Sequence, residues 1–545
     1  MPASATAAKF PSELKGIKYE IQDHAKAFGL DFYQVIFEVL DYRELNEVAA
    51  YGGFPYRYPH WGFGMSYDRL SKSHAYGLSK IYEMVINNDP CYAYLLKCNN
   101  LVDQKLVMAH VYGHCDFFKN NLYFAHTNRK MVDEMANHAT RIQRYVDRYG
   151  TDRVEAFIDC CLSLENLIDV HWPSIRRREK EKAETTSFPN AQQAAASKTE
   201  PCQSPCCSSQ CQTQCSNGPV GVTEEPAPSL DDDDEPIQPR RLQSKGYMEK
   251  YINPPDFLKA RAEEMKNKRQ EKKRFPENPE VDILLFLVEH APLKNWQRDI
   301  LSIIREEAYY YLPQAQTKIM NEGWATYWHS RIMTEKVLGD GEVIDYADHH
   351  SGTVGGSRFQ LNPYKLGLEL FRDIEDRWNT GRFGKEYEEC EDMAIREKWN
   401  LNLGLGREKI FEVRRLHNDL TFIDTFLTDD FCRRQKLFVY GKEQKDSTWV
   451  IQTREFNKVK EMILSGLTNL GNPLIRILDG NFENRGELLL LHQHESRDLK
   501  WNFADDTLLN LYRLWQRPVH VETKRDGKKV RLSFDGKEHK AQDLD

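Results

Sequence analysis

Two histidines four residues apart, His110 and His114 in AHVYGHCDFF, have the residue type and spacing of a metal-ligand pair. On a helix, side chains at i and i+4 stand one above the other on a single face, so two imidazoles can reach one ion. A second stretch, NEGWATYWH at 321–329, holds a carboxylate and an imidazole seven residues apart. Seven residues is close to two helical turns, which places Glu322 and His329 on a common face. The spacing predicts that the two helices meet, with His110, His114 and Glu322 as ligands and His329 and His350 as further ones. Two neutral imidazoles and a carboxylate suit zinc and leave a position for water. Four or five nitrogen and oxygen ligands would also suit iron, manganese or a pair of metals. Water on such an ion, with its pKa lowered toward about 7, attacks a carbonyl. That attack needs a proton acceptor, and Asp116, Glu306, Glu307 and His329 are the catalytic candidates. The ordinary alternative is an interhelical hydrogen-bond network in which Glu322 is simply the partner of the two histidines.

The elements that must position these residues are mostly helices. Residues 12–50 place apolar side chains at helical spacing, as do 67–87 after an aromatic, Gly- and Pro-rich loop at 52–64. Residues 91–101 read as a short strand or buried helix, and Asp103 as the cap of the helix carrying His110 and His114. Helices continue to Trp172, where Pro173 stops them. Residues 277–338 read as three helices broken at Pro292 and around Pro313. Residues 346–367 look less regular, and GTVGGS at 352–357 is a flexible loop without the lysine of a phosphate-binding loop. From about Leu416, short runs of strand character alternate with helical pieces, and Asp526-Gly527 signals a hairpin. The expected class is α+β: a mainly helical domain formed by 1–175 and 251–410, and a smaller α+β domain at 411–545.

Composition narrows the classes. The chain has 545 residues, 40% hydrophobic and 29% charged, with a net charge of -8. That balance predicts no nucleic-acid partner, for which a basic excess is the usual footprint. The longest apolar run, 283–288, is far too short to span a bilayer, and the first ten residues lack a secretory pattern. A cytoplasmic location is expected, with reduced cysteines. Residues 176–250 read as a disordered linker or insert, poor in apolar residues. It contains Cys202, Cys206, Cys207, Cys211 and Cys215, whose mostly C-x3-C spacing is not that of a zinc knuckle, and an acidic run at 231–235 without calcium-loop spacing. His492 and His494 fall on one face of a predicted strand and, without a third partner, read as surface residues. The aromatic cluster from Phe54 to Phe63 reads as core or as the lining of a groove for an elongated ligand.

Four stretches, LSKSHAYGLSKIYEMVINNDPCYAYLL, KLVMAHVYGHCDFFKNN, MNEGWATYWH and NPYKLGLELFRDIEDRW, resemble the stage V sporulation protein R (SpoVR-like) family. The resemblance covers nearly the whole chain apart from the insert. It implies a role in spore cortex formation or stress physiology. It also implies partnership with a serine protein kinase and a von Willebrand A-like protein, either of which a non-catalytic adaptor would dock. The stretch Glu322 to Tyr327 is similar to the third-ligand helix of zinc carboxypeptidase-like families, which makes the expected site zincin-like. Zincins carry a glutamate directly after the first histidine of H-E-x-x-H. Here that position is Val111, so the base of a metal-dependent hydrolase acting on a peptide or amide bond must come from elsewhere.

Overall fold

The computed structural model describes residues 10–75, 84–174, 254, 257–261, 274–355, 361–442, 449–495 and 497–544. The cysteine cluster, the acidic run and the end of GTVGGS lie outside them. Residues 1–170 and 279–545 form one compact unit; 171–278 form another, of which a helical piece at 257–261 is described. The chain is α+β and mainly helical, with small sheets.

The first unit opens with helix α1 (Ser12–Ala27), strand β1 (Val35–Leu40) and helix α2 (Tyr42–Ala50). One long helical stretch over 12–50 is thus corrected. The β-branched and aromatic run VIFEVL prefers a pleated surface, and β1 pairs in parallel with β3 (Cys91–Leu96), Val35 opposite Cys91. Asp41 then starts α2 with a capping box, accepting from the backbone N–H of Arg43 and Glu44 while Glu44 reaches back. Helix α3 (Trp61–Ala75) begins inside the stretch expected to be loop, and β2 (Met84–Ile86) lies where helix was expected, antiparallel to β3.

Helix α4 (Leu101–Asn120) carries the histidine pair. Its cap is Asn100, whose side chain accepts from Asp103 N–H, and not Asp103 itself. After α5 (Met131–Tyr149), α6 (Thr151–Leu162) and α7 (Ile283–His290) comes α8 (Asn295–Gln316), which contains Pro313; the break falls at Thr317, before α9 (Lys318–Ile332). Helix α10 (Val343–Val354) replaces the irregular stretch and makes His350 a helical residue. Helix α11 (Pro363–Thr380) has clear stop and start signals: Asn362 caps it, Pro363 opens it and left-handed Gly381 ends it. Helices α12 (Gly406–Leu416), α13 (Asp419–Phe426) and α14 (Asp429–Gln435) follow, so the expected boundary at 411 falls inside α12.

The C-terminal part adds a two-stranded β4 (Val439–Lys442)–β5 (Trp449–Thr453) ribbon, α15 (Phe456–Leu467) and a five-stranded sheet. Its order is β10-β9-β8-β7-β6, from β6 (Ile475–Phe482), β7 (Glu487–His492), β8 (Val519–Arg525), β9 (Lys528–Phe534) and β10 (His539–Leu544). All pairs are antiparallel except β7–β8, which α16 (Trp501–Trp515) connects. The β8–β9 turn is Asp526-Gly527, both left-handed as a tight hairpin demands. One apolar core gathers α1, β1, β3, α4, α9, α11, α12 and α13. A second joins α6, α7 and α8 to the C-terminal sheet and α16.

Helices α4 and α9 are buried on almost every side, the signature of central helices. They touch because glycine lets backbones meet. A Cβ on Gly113 would lie 2.7 Å from Ala325 Cα. A Cβ on Gly323 would fall on the backbone of Gly367 in α11, and one on Gly367 would fall on Ile319 O. Gly16 of α1, by contrast, has nothing within 4 Å. Gly323→Ala is therefore expected to destabilise the protein by about 1–3 kcal/mol through overpacking. Gly16→Ala, on an exposed helical surface, is expected to stabilise by about 0.5–1 kcal/mol. Thermal unfolding of the two variants checks both signs.

Candidate metal centre

The crossing of α4 and α9 is antiparallel, with His110 beside His329 and His114 beside Asn321. That pairing follows from the helical period. Positions 110 and 114 project from one face of α4, and 322 and 329 from the facing side of α9. His110, His114 and Glu322 each offer a ligand atom, all within 4.8 Å of one another. Glu322 Oε2 lies 3.4 Å from His114 Nε2 and 3.6 Å from His110 Nε2. These separations are long for hydrogen bonds. They match the roughly 3.3–3.4 Å edges of a tetrahedron whose metal bonds are about 2.0–2.1 Å. Glu322 Oε2 is buried and accepts no hydrogen bond. A carboxylate oxygen left so, between two imidazole nitrogens, fits a cation at the focus. Burial would raise the Glu322 carboxyl, but the two histidines outweigh it and hold it well below the ordinary range.

The far nitrogens of both imidazoles are engaged. His114 Nδ1 donates to Asn321 Oδ1 at 2.8 Å, which turns the lone pair of Nε2 toward Glu322. His110 Nδ1 is 2.7 Å from His329 Nδ1, and His329 Nε2 is 3.1 Å from His350 Nδ1. With His110 Nε2 kept for an ion, its Nδ1–H donates to His329, whose Nε2–H donates to His350. Burial, reinforced by the neighbouring imidazoles, drives His329 well below its ordinary pKa; burial and Arg372 lower His350. Both are thereby neutral, as the chain of bonds requires. The ring nitrogens of His329 face His110 Nδ1 and His350 Nδ1, so neither His329 nor His350 joins the trio of ligand atoms. Three ligands then leave an open position on a four-coordinate ion, and Glu322, 17% exposed, is the ligand nearest solvent.

The remaining candidates are elsewhere. Asp116 is fully buried; it accepts from Trp324 Nε1 at 2.8 Å and Asp31 N–H at 2.7 Å, and pairs with Arg414 at 3.4 Å. Burial raises it to about 6 against these partners. It fastens α9 to α4 and α12 and does not turn toward the histidines. Glu306 and Glu307 lie on α8 against His138 of α5, at 3.5 and 3.0 Å, and Arg57 pairs with Glu307 at 2.8 Å. None of the three carboxylates joins the trio. His492, expected on the surface, is buried and 2.8 Å from Thr523 Oγ1.

Two residues escaped sequence reasoning. Asn321 sits beside the glutamate in the conspicuous stretch, and only His114's need for an acceptor at Nδ1 points to it. Asp419, on α13, accepts from the backbone N–H of Ile319 at 2.8 Å and Met320 at 2.9 Å. It caps α9, whose own Thr317 makes no side-chain cap bond. No local signal marks a cap supplied from a hundred residues away.

The profile of the SpoVR like protein family matches residues 9–472 of this chain. The chain belongs to the SpoVR-like family. Every residue of the trio, together with Asn321, His329, His350 and Asp419, lies inside the matched region, while β6 to β10 lie beyond it. An uncharacterized protein of Escherichia coli (strain K12), YcgB, is 27% identical over 94% of this chain and 92% of its own length. No solved structure matches the chain. Among the described residues of this SpoVR-like chain, no helix is long and apolar enough to cross a membrane.

The second histidine cluster makes a pH prediction. Burial would lower His138, but Glu306 and Glu307 outweigh it and raise the imidazole to about 9. Arg57, paired with Glu307, and Arg141, near Glu306, are the other charges facing the cluster. The folded value exceeds the ordinary 6.5. The stabilisation is thus complete below about pH 6.5 and lost as pH rises through about 9. Denaturant titrations should show stability falling over that window, with a shallower fall in His138→Gln.

Proposed function

We propose that this protein is a metal-dependent hydrolase with a zincin-like centre, acting on a peptide or amide bond. The observation that supports it is the convergence of His110, His114 and Glu322 within 4.8 Å, with a buried Glu322 oxygen, free of hydrogen bonds, 3.6 and 3.4 Å from the two imidazoles. Zinc is the metal these donors suit best. Once bound there, it supplies a Lewis acid and a water acidified toward neutrality.

The chain's own residues divide the remaining work. Asn321 holds His114 in the tautomer that frees Nε2, and His329, itself held by His350, does the same for His110. These are positioning residues. Val111 is fully buried at the place of the zincin glutamate, so no base follows the first histidine. Glu322, the nearest to solvent of the three, serves as a ligand with its carboxyl held well below the ordinary range, so the proton released when water attacks passes out to solvent on that side. The family's link to the spore cortex points to peptide bonds of peptidoglycan as the substrate class.

Metal analysis by elemental mass spectrometry, run beside a screen of amide and peptidoglycan-peptide substrates, tests the reading. About one zinc per chain is expected in the wild type and none in His114→Ala, with hydrolysis lost in parallel. Asn321→Ala is expected to bind zinc about 10- to 100-fold more weakly. Zinc retained in His114→Ala would overturn the centre. Stoichiometric zinc without hydrolysis of any substrate would overturn the enzyme and leave a structural ion.

A further inference from the structure

A separate cavity of about 400 Å³ opens between α2 and α3, in the aromatic stretch. Its walls include Tyr51, Tyr58, His60, Phe63 and Tyr67, with Glu47 beside them. The rings are set at steep angles, unlike a flat stack. Tyr51 stands at 89° to Phe63 with centroids 5.5 Å apart; Tyr58 stands at 60° to it at 5.5 Å, and His60 at 70° at 5.8 Å. These rings pack edge against face on one another, so a guest meets their outer sides, where Tyr51, Phe63 and Tyr67 are half-buried and Tyr58 is buried.

The charge of the cavity has one sign. Glu47 is the single formally charged residue among those lining it, and its carboxylate makes no hydrogen bond or ion pair with a described residue. Tyr51 is held above its ordinary pKa by burial and by Glu47, which puts that carboxylate beside the ring. His60 adds no positive charge. Its Nδ1 accepts from Gly62 N–H at 3.2 Å, so its proton is on Nε2, which donates to Asp159 at 3.1 Å. The same rings already hold a cation from behind. The Arg57 guanidinium lies 5.0 Å from the centroids of both Tyr58 and Phe63, and Glu307 neutralises it at 2.8 Å. Arg57 does not line the cavity, so the open side keeps aromatic faces and an unspent carboxylate.

From the ring geometry and the unpaired Glu47, we infer that this cavity binds an organic cation of the quaternary ammonium type. Electron-rich ring faces attract a weakly hydrated cation, and alkylated ammonium groups also fill the apolar space beside the rings. The site is independent of the metal centre and survives if that reading fails.

The test uses the full chain, choline as the probe and its uncharged isostere 3,3-dimethylbutan-1-ol, followed by isothermal titration and saturation-transfer NMR. Choline is expected to bind about 3- to 30-fold more tightly than the isostere, the range a cation–π contribution confers. Glu47→Gln, at an exposed position, is expected to weaken choline about 3- to 10-fold and leave the isostere unchanged. Tyr67→Leu is expected to weaken choline and His114→Ala to leave it unchanged. Equal binding of choline and the isostere would overturn the proposal in favour of a merely apolar cavity. Absence of choline binding by the wild type, or choline affinity indifferent to both Glu47→Gln and Tyr67→Leu, would overturn it outright.

Discussion

The close approach of three helix backbones is the constraint on which the rest depends. Glycine at 113, 323 and 367 removes the side chains that would hold α4, α9 and α11 apart. Interhelical axes are ordinarily about 8–10 Å apart, and short polar side chains bridge that gap only where the backbones come nearer. Histidine and glutamate are not long. For Glu322 to come within 3.6 Å of two imidazoles across the crossing, α9 has to lie hard against α4. Gly323 follows Glu322, and Gly113 precedes His114. The packing device and the chemistry are therefore interleaved on the same two turns.

Such a crossing buries polar groups, and the structure satisfies them from a distance. Asp116 joins Trp324 of α9 to Arg414 of α12, and Asp419 closes the amino end of α9. Burial raises both carboxyls, to about 6 and about 7, while their hydrogen bonds pull the other way. A buried carboxylate is costly unless its partners are fixed in place. Here the partners include three backbone N–H groups, an indole and a guanidinium, all but the Asp31 N–H anchored in a core helix. His110, His114 and Glu322 inherit that rigidity, which a metal centre built on them would need if its imidazoles are to keep their orientation.

Much of this was legible from residue spacing. The i, i+4 histidines and the seven-residue spacing of Glu322 and His329 implied two meeting helices, and the crossing brings ligand atoms of His110, His114 and Glu322 within 4.8 Å of one another. Asp526-Gly527 marked its hairpin, and of the short strand or buried helix left open over 91–101 the structure takes the strand, at 91–96. Other features were not legible, for physical reasons. Strand β1 carries VIFEVL, which also fits a helical period over so short a run, and only its pairing with β3 decides the matter. Helix α10, with two adjacent histidines and a glycine, has weak intrinsic propensity and is held by its neighbours. The catalytic candidates Asp116, Glu306 and Glu307 were chosen by type and sequence position. Neither reveals that Asp116 turns to Arg414 or that α8 presents its carboxylates to His138. Asp419 is a long-range cap with no sequence signature at all.

X-ray absorption spectroscopy at the zinc edge, on the zinc-loaded full chain, tests the central claim most directly. The account predicts a first shell of nitrogen and oxygen only, at about 2.0–2.2 Å, with the outer-shell scattering of two imidazoles. A shell containing sulfur at about 2.3 Å would contradict it, because the metal would then sit on thiolates and not between α4 and α9.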